Sequence, residues 1–260
     1  LMDGRKIIFP GTDIENGFQP LVPEEDLTAL IYLCSPDNPT GAVCTKECLE
    51  KWIAYAIRTK SVILFDAAYE SFVYEDNIPR SIYELEGAQE CAIEISSLSK
   101  TAGFTGTRCG YTVIPMDLQR DGLSLNAMWV RNRTTRTNGV SYILQKGALA
   151  VFSEEGQKEV SQLHEVYRRN AQTFMQALDE AGLSYAGGKN SPYIWMKCPC
   201  GSGSWETFDI LLKQAQIVAT PGAGFGESGE GWIRFSMFAK EEDVEEAGRR
   251  IIRLRNEKYF

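Results

Sequence analysis

The chain has 260 residues, enough for one large α/β domain or two domains sharing a core, and its 43% hydrophobic and 24% charged residues are globular values. That composition excludes a collagen-like, low-complexity or disordered chain. A formal net charge of −8 argues against a nucleic-acid or anionic-membrane partner, and with no run of about 18 apolar residues no transmembrane helix is expected.

The first half reads as alternating strand and helix. Residues 29–34 form a short apolar run that stops at Ser35-Pro36. Thr45 can cap a helix whose apolar positions Leu49, Trp52, Ile53, Ala56 and Ile57 recur at helical spacing. Strands follow at 62–65, 91–95 and 109–114, ending at Asp66, Ser96-Ser97 and Pro115. Strands separated by helices imply βαβ units and a mostly parallel sheet. A long helix is then expected, capped by Ser153, with Glu154 and Glu155 at its positive end, an apolar face of Val160, Leu163, Tyr167, Phe174, Leu178 and Ala181, and a stop at Gly182. Strands near 193–197, 217–219 and 232–236, with helices near 205–214 and 241–255, complete a smaller α+β unit. The expected division is residues 1–152 for the larger domain and 153–260 for the smaller, the long helix included.

Seven cysteines, an odd number without zinc spacing, and a lone histidine, His164, leave no His-rich metal site. Reduced thiols in a cytosol or organelle stroma are the simplest reading. Gly224-Phe225-Gly226-Glu227-Ser228-Gly229 matches G-x-G-x-x-G literally. A strand rather than a helix is expected after it, so it is read as a loop at the mouth of a site and not as a dinucleotide fingerprint.

Ligands of open parallel sheets bind beyond the carboxyl ends of the strands. There the sequence places Ser35-Pro36-Asp37-Asn38-Pro39-Thr40-Gly41, then Asp66-Ala67-Ala68-Tyr69, then Ser97-Leu98-Ser99-Lys100 with Arg108 eight residues on. An amide, a carboxylate with a phenol, and a hydroxyl, amine and guanidinium group suit a phosphorylated aromatic aldehyde. Taken singly each has a plain reading. Asn38 is a turn residue, Asp66 a helix cap and Tyr69 a core phenol. Ser97 and Ser99 are loop or cap residues, Lys100 and Arg108 surface charges, Arg234 a cation on an edge strand, Asn138 an Asn-Gly turn. Their joint occurrence in this order favours one site.

The set Asn-Pro-Thr-Gly, Asp-x-x-Tyr, Ser-x-Ser-Lys with its following Arg, and Arg234-Phe235-Ser236 resembles the fold-type-I, pyridoxal-phosphate-dependent aminotransferases of classes I and II. The stretches CSPDNPTGAV (34–43), FDAAYESF (65–72), AIEISSLSKTAGFTGTRCGYTVIP (92–115), GGKNSPYIW (187–195) and TPGAGFG (220–226) resemble most its branch acting on LL-2,6-diaminopimelate. The resemblance implies an α/β fold, with a three-layer, mostly parallel large domain and a smaller C-terminal α+β domain. It implies pyridoxal 5′-phosphate as cofactor, amino-acid and 2-oxo-acid substrates, a homodimer in the full-length form, and a place in lysine biosynthesis in a cytoplasm or plastid stroma. Lys100 takes the role of Schiff-base lysine and proton carrier. Asp66 pairs with the pyridine nitrogen, and Tyr69 and Asn38 bond the phenolic oxygen. Ser97, Ser99 and Arg108 face the phosphate, and Arg234 clamps the substrate α-carboxylate. Asn138 lies near cofactor and substrate, supplied by the neighbouring subunit in a dimer. Transamination of aspartate, alanine or an aromatic amino acid, or an inactive truncated fragment, are the alternatives. The chain begins Leu1-Met2-Asp3-Gly4 and is expected to lack the family's N-terminal portion, with residues 5–9 a late strand of the large domain. The isolated stretch is therefore expected to fold incompletely or bind cofactor poorly.

Overall fold

A computed structural model describes Gly4 and residues 6–259. Four strands, β1 (Leu30–Cys34), β2 (Val62–Asp66), β3 (Ala92–Ser97) and β4 (Gly110–Val113), form one sheet in that order. The first three run parallel, and β4 closes the edge antiparallel. Burial alternates along them, so Ile31, Leu33, Ile63 and Phe65 face one core. Helix α1 (Lys46–Thr59) fills that core with Leu49, Trp52, Ile53 and Ala56. Its start and stop are local chemistry. The Thr45 hydroxyl accepts from the Cys48 N–H at 3.2 Å, and Lys60, at φ 55°, donates back to the Ala56 and Ile57 carbonyls.

A one-turn helix, α2 (Leu98–Thr101), follows β3 directly. After β4 come a two-residue ladder, β5 (Gln119–Arg120) with β6 (Leu123–Ser124), then α3 (Leu125–Arg136), α4 (Tyr142–Val151) and the 27-residue α5 (Glu154–Glu180). Ser153 caps α5 through the Gly156 N–H at 3.0 Å, as its sequence predicts. A second, antiparallel sheet has the order β7-β8-β10-β9, from β7 (Tyr185–Gly187), β8 (Tyr193–Lys197), β9 (Thr220–Pro221) and β10 (Trp232–Ser236). Helices α5, α6 (Ser204–Ala215) and α7 (Glu241–Asn256) build its core with Phe174, Leu178, Leu211, Ile251 and Leu254 around Ile194, Met196, Ile233 and Phe235. Each such side chain stabilises by about 1.5–3 kcal/mol when fully buried.

The two sheets meet backbone to backbone. A Cβ on Gly41 would lie 2.5 Å from the Tyr193 carbonyl oxygen and 2.8 Å from the Gly187 Cα, and one on Gly187 would lie 2.7 Å from the Thr40 carbonyl oxygen. Both glycines also have positive φ, 69° and 78°, where a side chain is strained.

Two expected strands differ from the structure. Residues 6–9 form no ladder, and Ile7, Ile8 and Phe9 are exposed; Arg5 lies outside the described residues. A lone extended stretch without a neighbour has no partner for its amides, so composition alone does not make it a strand. Residues 217–219 are also unpaired. The β9 ladder begins at Thr220 because β10 offers Arg234 and Ile233 as partners to Thr220 and Pro221, and Val218 is exposed. Strands β5, β6 and β7 and helices α3 and α4 were not expected from the pattern. Among the described residues no helix is long and apolar enough to cross a membrane, and no cluster of His, Cys, Asp and Glu is placed to hold a metal.

Candidate active site

The carboxyl ends of β1, β2 and β3 deliver the first groups. Asp37 stiffens the loop after β1, accepting from the Thr40 hydroxyl at 2.6 Å and the Thr40 N–H at 3.2 Å. Asn38 is left at the exposed tip. Asp66, the last residue of β2, accepts from the Ala68 N–H at 3.0 Å and, through its other oxygen, from the Tyr32 phenol. Partial burial, then that carboxylate, push the Tyr32 phenol far above its usual range. Tyr69 is buried, and its hydroxyl shares a hydrogen bond of 2.8 Å with that of Tyr193 on β8. Burial, then this bond, raise the Tyr69 phenol well above its ordinary value.

Beyond β3, Ser97 caps α2 by accepting from the Ser99 N–H at 3.2 Å. A hydroxyl that accepts keeps its hydrogen to donate. The Ser99 side chain is buried, and its carbonyl accepts from the Thr105 hydroxyl at 3.0 Å. Lys100 is half-buried, its amine 4.9 Å from the centre of the Phe238 ring and without an ion pair among the described residues. Burial first, then the charges of Arg234 and Arg108, hold it below the usual lysine range. Arg108 has φ 54° and donates to the Thr105 carbonyl at 2.9 Å.

The second sheet contributes the other half. Arg234 on β10 lies between two rings, 4.6 Å from the centre of Tyr193 and 4.9 Å from that of Phe225. Its Nη1 donates to the Asn38 amide oxygen at 2.5 Å and its Nη2 to the Thr220 hydroxyl at 3.3 Å. Its Nε is buried with no partner among the described residues. A buried guanidinium N–H lacking an acceptor is the position a carboxylate would complete.

Asn38 thus meets Arg234, Tyr69 meets Tyr193, and Lys100 lies within the influence of Arg234 and Arg108, while Asp66, Ser97 and Ser99 sit at the ends of β2 and β3. Asn138 does not join them within this chain. It sits exposed after α3 at φ 54°, its N–H donating to the Arg133 carbonyl at 2.9 Å, and its side chain makes no hydrogen bond among the described residues. A hollow of about 640 Å³ beside it, lined by Arg108, Trp129, Gly139 and Phe152, excludes Lys100. Residues 222–229 form two short 3-10 turns and open no α-helix. Phe225 of that loop packs on Arg234, matching its reading as the mouth of the site. Asn190 is buried, accepting from the Tyr74 N–H at 2.9 Å and donating to Glu75 at 2.6 Å; it braces two loops.

Sequence reasoning missed Tyr32, Tyr193, Thr220 and Phe238. Tyr32 has one available signal: two residues before Cys34, it shares a strand face with the residue paired to Asp66.

The site carries two guanidinium groups, Arg108 and Arg234, and the Asp66 carboxylate beside the unpaired Lys100 amine. That donor set fits a phosphorylated, aromatic carbonyl compound together with a carboxylate-bearing substrate. The sequence model of the aminotransferase class I and II family matches residues 13–251. The chain is 49% identical over 253 residues to an LL-diaminopimelate aminotransferase of Prochlorococcus marinus subsp. pastoris (strain CCMP1986 / NIES-2087 / MED4), covering 95% of this chain and 62% of that protein. It is 52% identical over 242 residues to one from Prochlorococcus marinus (strain MIT 9211), covering 91% and 59%. The solved L,L-diaminopimelate aminotransferase from Chlamydomonas reinhardtii superposes with a TM-score of 0.87 at 42% identity, covering 92% of this chain and 59% of that one. The chain spans less than two thirds of the length of each of these relatives.

Proposed function

We propose, from the premise that this chain belongs to the class I and II aminotransferase family, that it carries the cofactor-holding lysine and the substrate clamp of a pyridoxal-phosphate-dependent transaminase. The amino donor is LL-2,6-diaminopimelate and the acceptor 2-oxoglutarate. The products are glutamate and, after ring closure with loss of water, tetrahydrodipicolinate. The amino donor is supported by the names of the relatives at 49% and 52% identity. The observation that carries the chemistry is the unpaired, half-buried Lys100 amine under the influence of two guanidinium groups.

When bound, the cofactor supplies a protonated pyridine ring that takes up the electron pair left on the substrate Cα when its proton is removed. Asp66 would hold the proton on the ring nitrogen. Tyr69 and Asn38 would donate to the phenolic oxygen. Ser97, Ser99 and Arg108 would hold the phosphate, the guanidinium with its planar fork. Arg234 would orient the substrate through its α-carboxylate, with Nε finding its acceptor there. Lys100 would take the Cα proton and return it, a role that needs an amine free near neutral pH. Asn138 would enter from the neighbouring subunit of a homodimer, a route its exposure supports. Residues 1–152 would carry the cofactor side and 153–260 the clamp side. A cytoplasm or plastid stroma would suit the seven free thiols.

The test is covalent. The chain incubated with pyridoxal 5′-phosphate and reduced with borohydride should gain one cofactor mass at Lys100, and Lys100→Ala should gain none there. Labelling spread over surface lysines alone would sink the reading. In the full-length form, activity with aspartate and none with diaminopimelate would overturn the substrate assignment only.

A further inference from the structure

We propose that His164, the single histidine of the chain, is a positioning residue for Lys100. It rests on the functional reading above only in that Lys100 is the reactive amine.

His164 lies on α5 and is 5% exposed. Its ring leaves that helix and bridges the two turns that carry the reactive groups. Nδ1 lies 2.9 Å from the Ser71 carbonyl oxygen, in the turn that follows Asp66 and Tyr69. Nε2 lies 2.9 Å from the Thr101 carbonyl oxygen, on the residue after Lys100. Phe72 stacks on the imidazole at 4.4 Å with the planes 20° apart. Phe238 stands edge-on to Phe72 at 5.6 Å, and the Lys100 amine lies over the Phe238 ring. The Tyr74 hydroxyl donates to the His164 carbonyl at 3.2 Å, fixing the helix itself to the same segment.

The need for such a brace is physical. α2 is four residues long, and one isolated turn of helix does not hold itself. Its last carbonyls have no intrahelical partner and must find donors elsewhere. In the Nε2–H tautomer the imidazole donates to the Thr101 carbonyl, while Nδ1 carries no hydrogen and lies against the Ser71 carbonyl, so the ring spans the two turns with one donated bond. The Ser71 hydroxyl donates to the Thr101 hydroxyl at 3.3 Å, joining the same two segments. The ring therefore sets the spacing between the Asp66–Tyr69 turn and the Lys100 turn. His164 has no hydrogen bond to any group assigned to cofactor or substrate, so its action on them is indirect.

Three variants separate positioning from mere stability. His164→Gln keeps a donor where Nε2 stood, His164→Asn keeps one where Nδ1 stood, and His164→Phe keeps neither. One readout is trace acetylation of Lys100 by acetic anhydride, with exposed Lys51 of the same molecule as internal standard and no cofactor present. The other is the rate of pyridoxal 5′-phosphate capture at Lys100, normalised to folded fraction. His164→Gln is expected to match the wild-type chain in both. In His164→Asn and His164→Phe the Lys100:Lys51 labelling ratio should move towards unity, and capture should slow by up to about a hundredfold, the scale of a reacting group misplaced by about 1 Å. Unchanged labelling in His164→Asn and His164→Phe overturns the proposal, as does a change just as large in His164→Gln. Wild-type chain that fails to capture the cofactor brings down the functional reading, while the labelling ratio still decides the role of His164.

Discussion

The two sheets are dressed differently. In the second, Tyr193, Ile194, Trp195 and Met196 of β8 are all buried, because helices and loops close on both faces. In the first, α1 covers one face, while Leu30 and Tyr32 on β1 remain 68% and 62% exposed and Tyr111 and Val113 on β4 stand partly bare. Parallel sheets are normally buried on both faces, so the first sheet carries apolar surface that this chain does not cover. Lys100 and Asp66 come from the half-covered sheet or the turn that follows it, and Arg234 comes from the closed one.

That contrast can be broken at four points. Ile194→Ala, in the closed sheet, should cost about 2–5 kcal/mol in denaturant unfolding, the range for a buried Ile that leaves a cavity; a loss under ~1 kcal/mol would mean the second core is loose. Arg234→Lys removes the fork but keeps the charge. A hydrogen bond to a charged group contributes about 1.5–3 kcal/mol, so in the full-length enzyme KM for the amino donor should rise about tenfold or more, read by steady-state kinetics. The pH profile of Lys100 acetylation should next show its amine free at lower pH than an ordinary lysine. The sign follows from its lowered pKa: the charged form is disfavoured by burial first and by Arg234 and Arg108 after it. Removing one positive neighbour must raise the midpoint, more in Arg234→Gln than in Arg108→Gln, while burial keeps both below a surface lysine. Smallest is Leu30→Ser. On the open face it should change unfolding by within ~0.5 kcal/mol; a loss like that of Ile194→Ala would show that β1 is covered in solution.

The sequence was most readable where one physical signal acted alone. α1 was legible because Thr45 caps a regular apolar stripe, and α5 because Ser153 does the same. α3 was not, since its sequence LNAMWVRNRTTR buries no residue and so leaves no stripe to find. The unpaired residues 217–219 have strand composition, but pairing is decided by what β10 presents, which composition does not contain. At the site, Asn38, Asp66, Tyr69 and Lys100 were legible because they lie at or just beyond the carboxyl ends of β1, β2 and β3. Tyr193, Thr220 and His164 were not, because they act through partners far along the chain: 124 residues separate Tyr69 from Tyr193. Before the fold was known, His164 excluded a metal site and said nothing else.

Gly41 and Gly187 give the site its dimensions by what they lack. Between them the loop after β1 meets β7 and β8 across bare main chain, closer than a side chain would allow. A methyl group at either place acts as a shim. It would widen the cleft at its root and move Arg234 and Asn38 apart at its rim, through the same lever. The gap between the two is therefore gauged by two absent side chains.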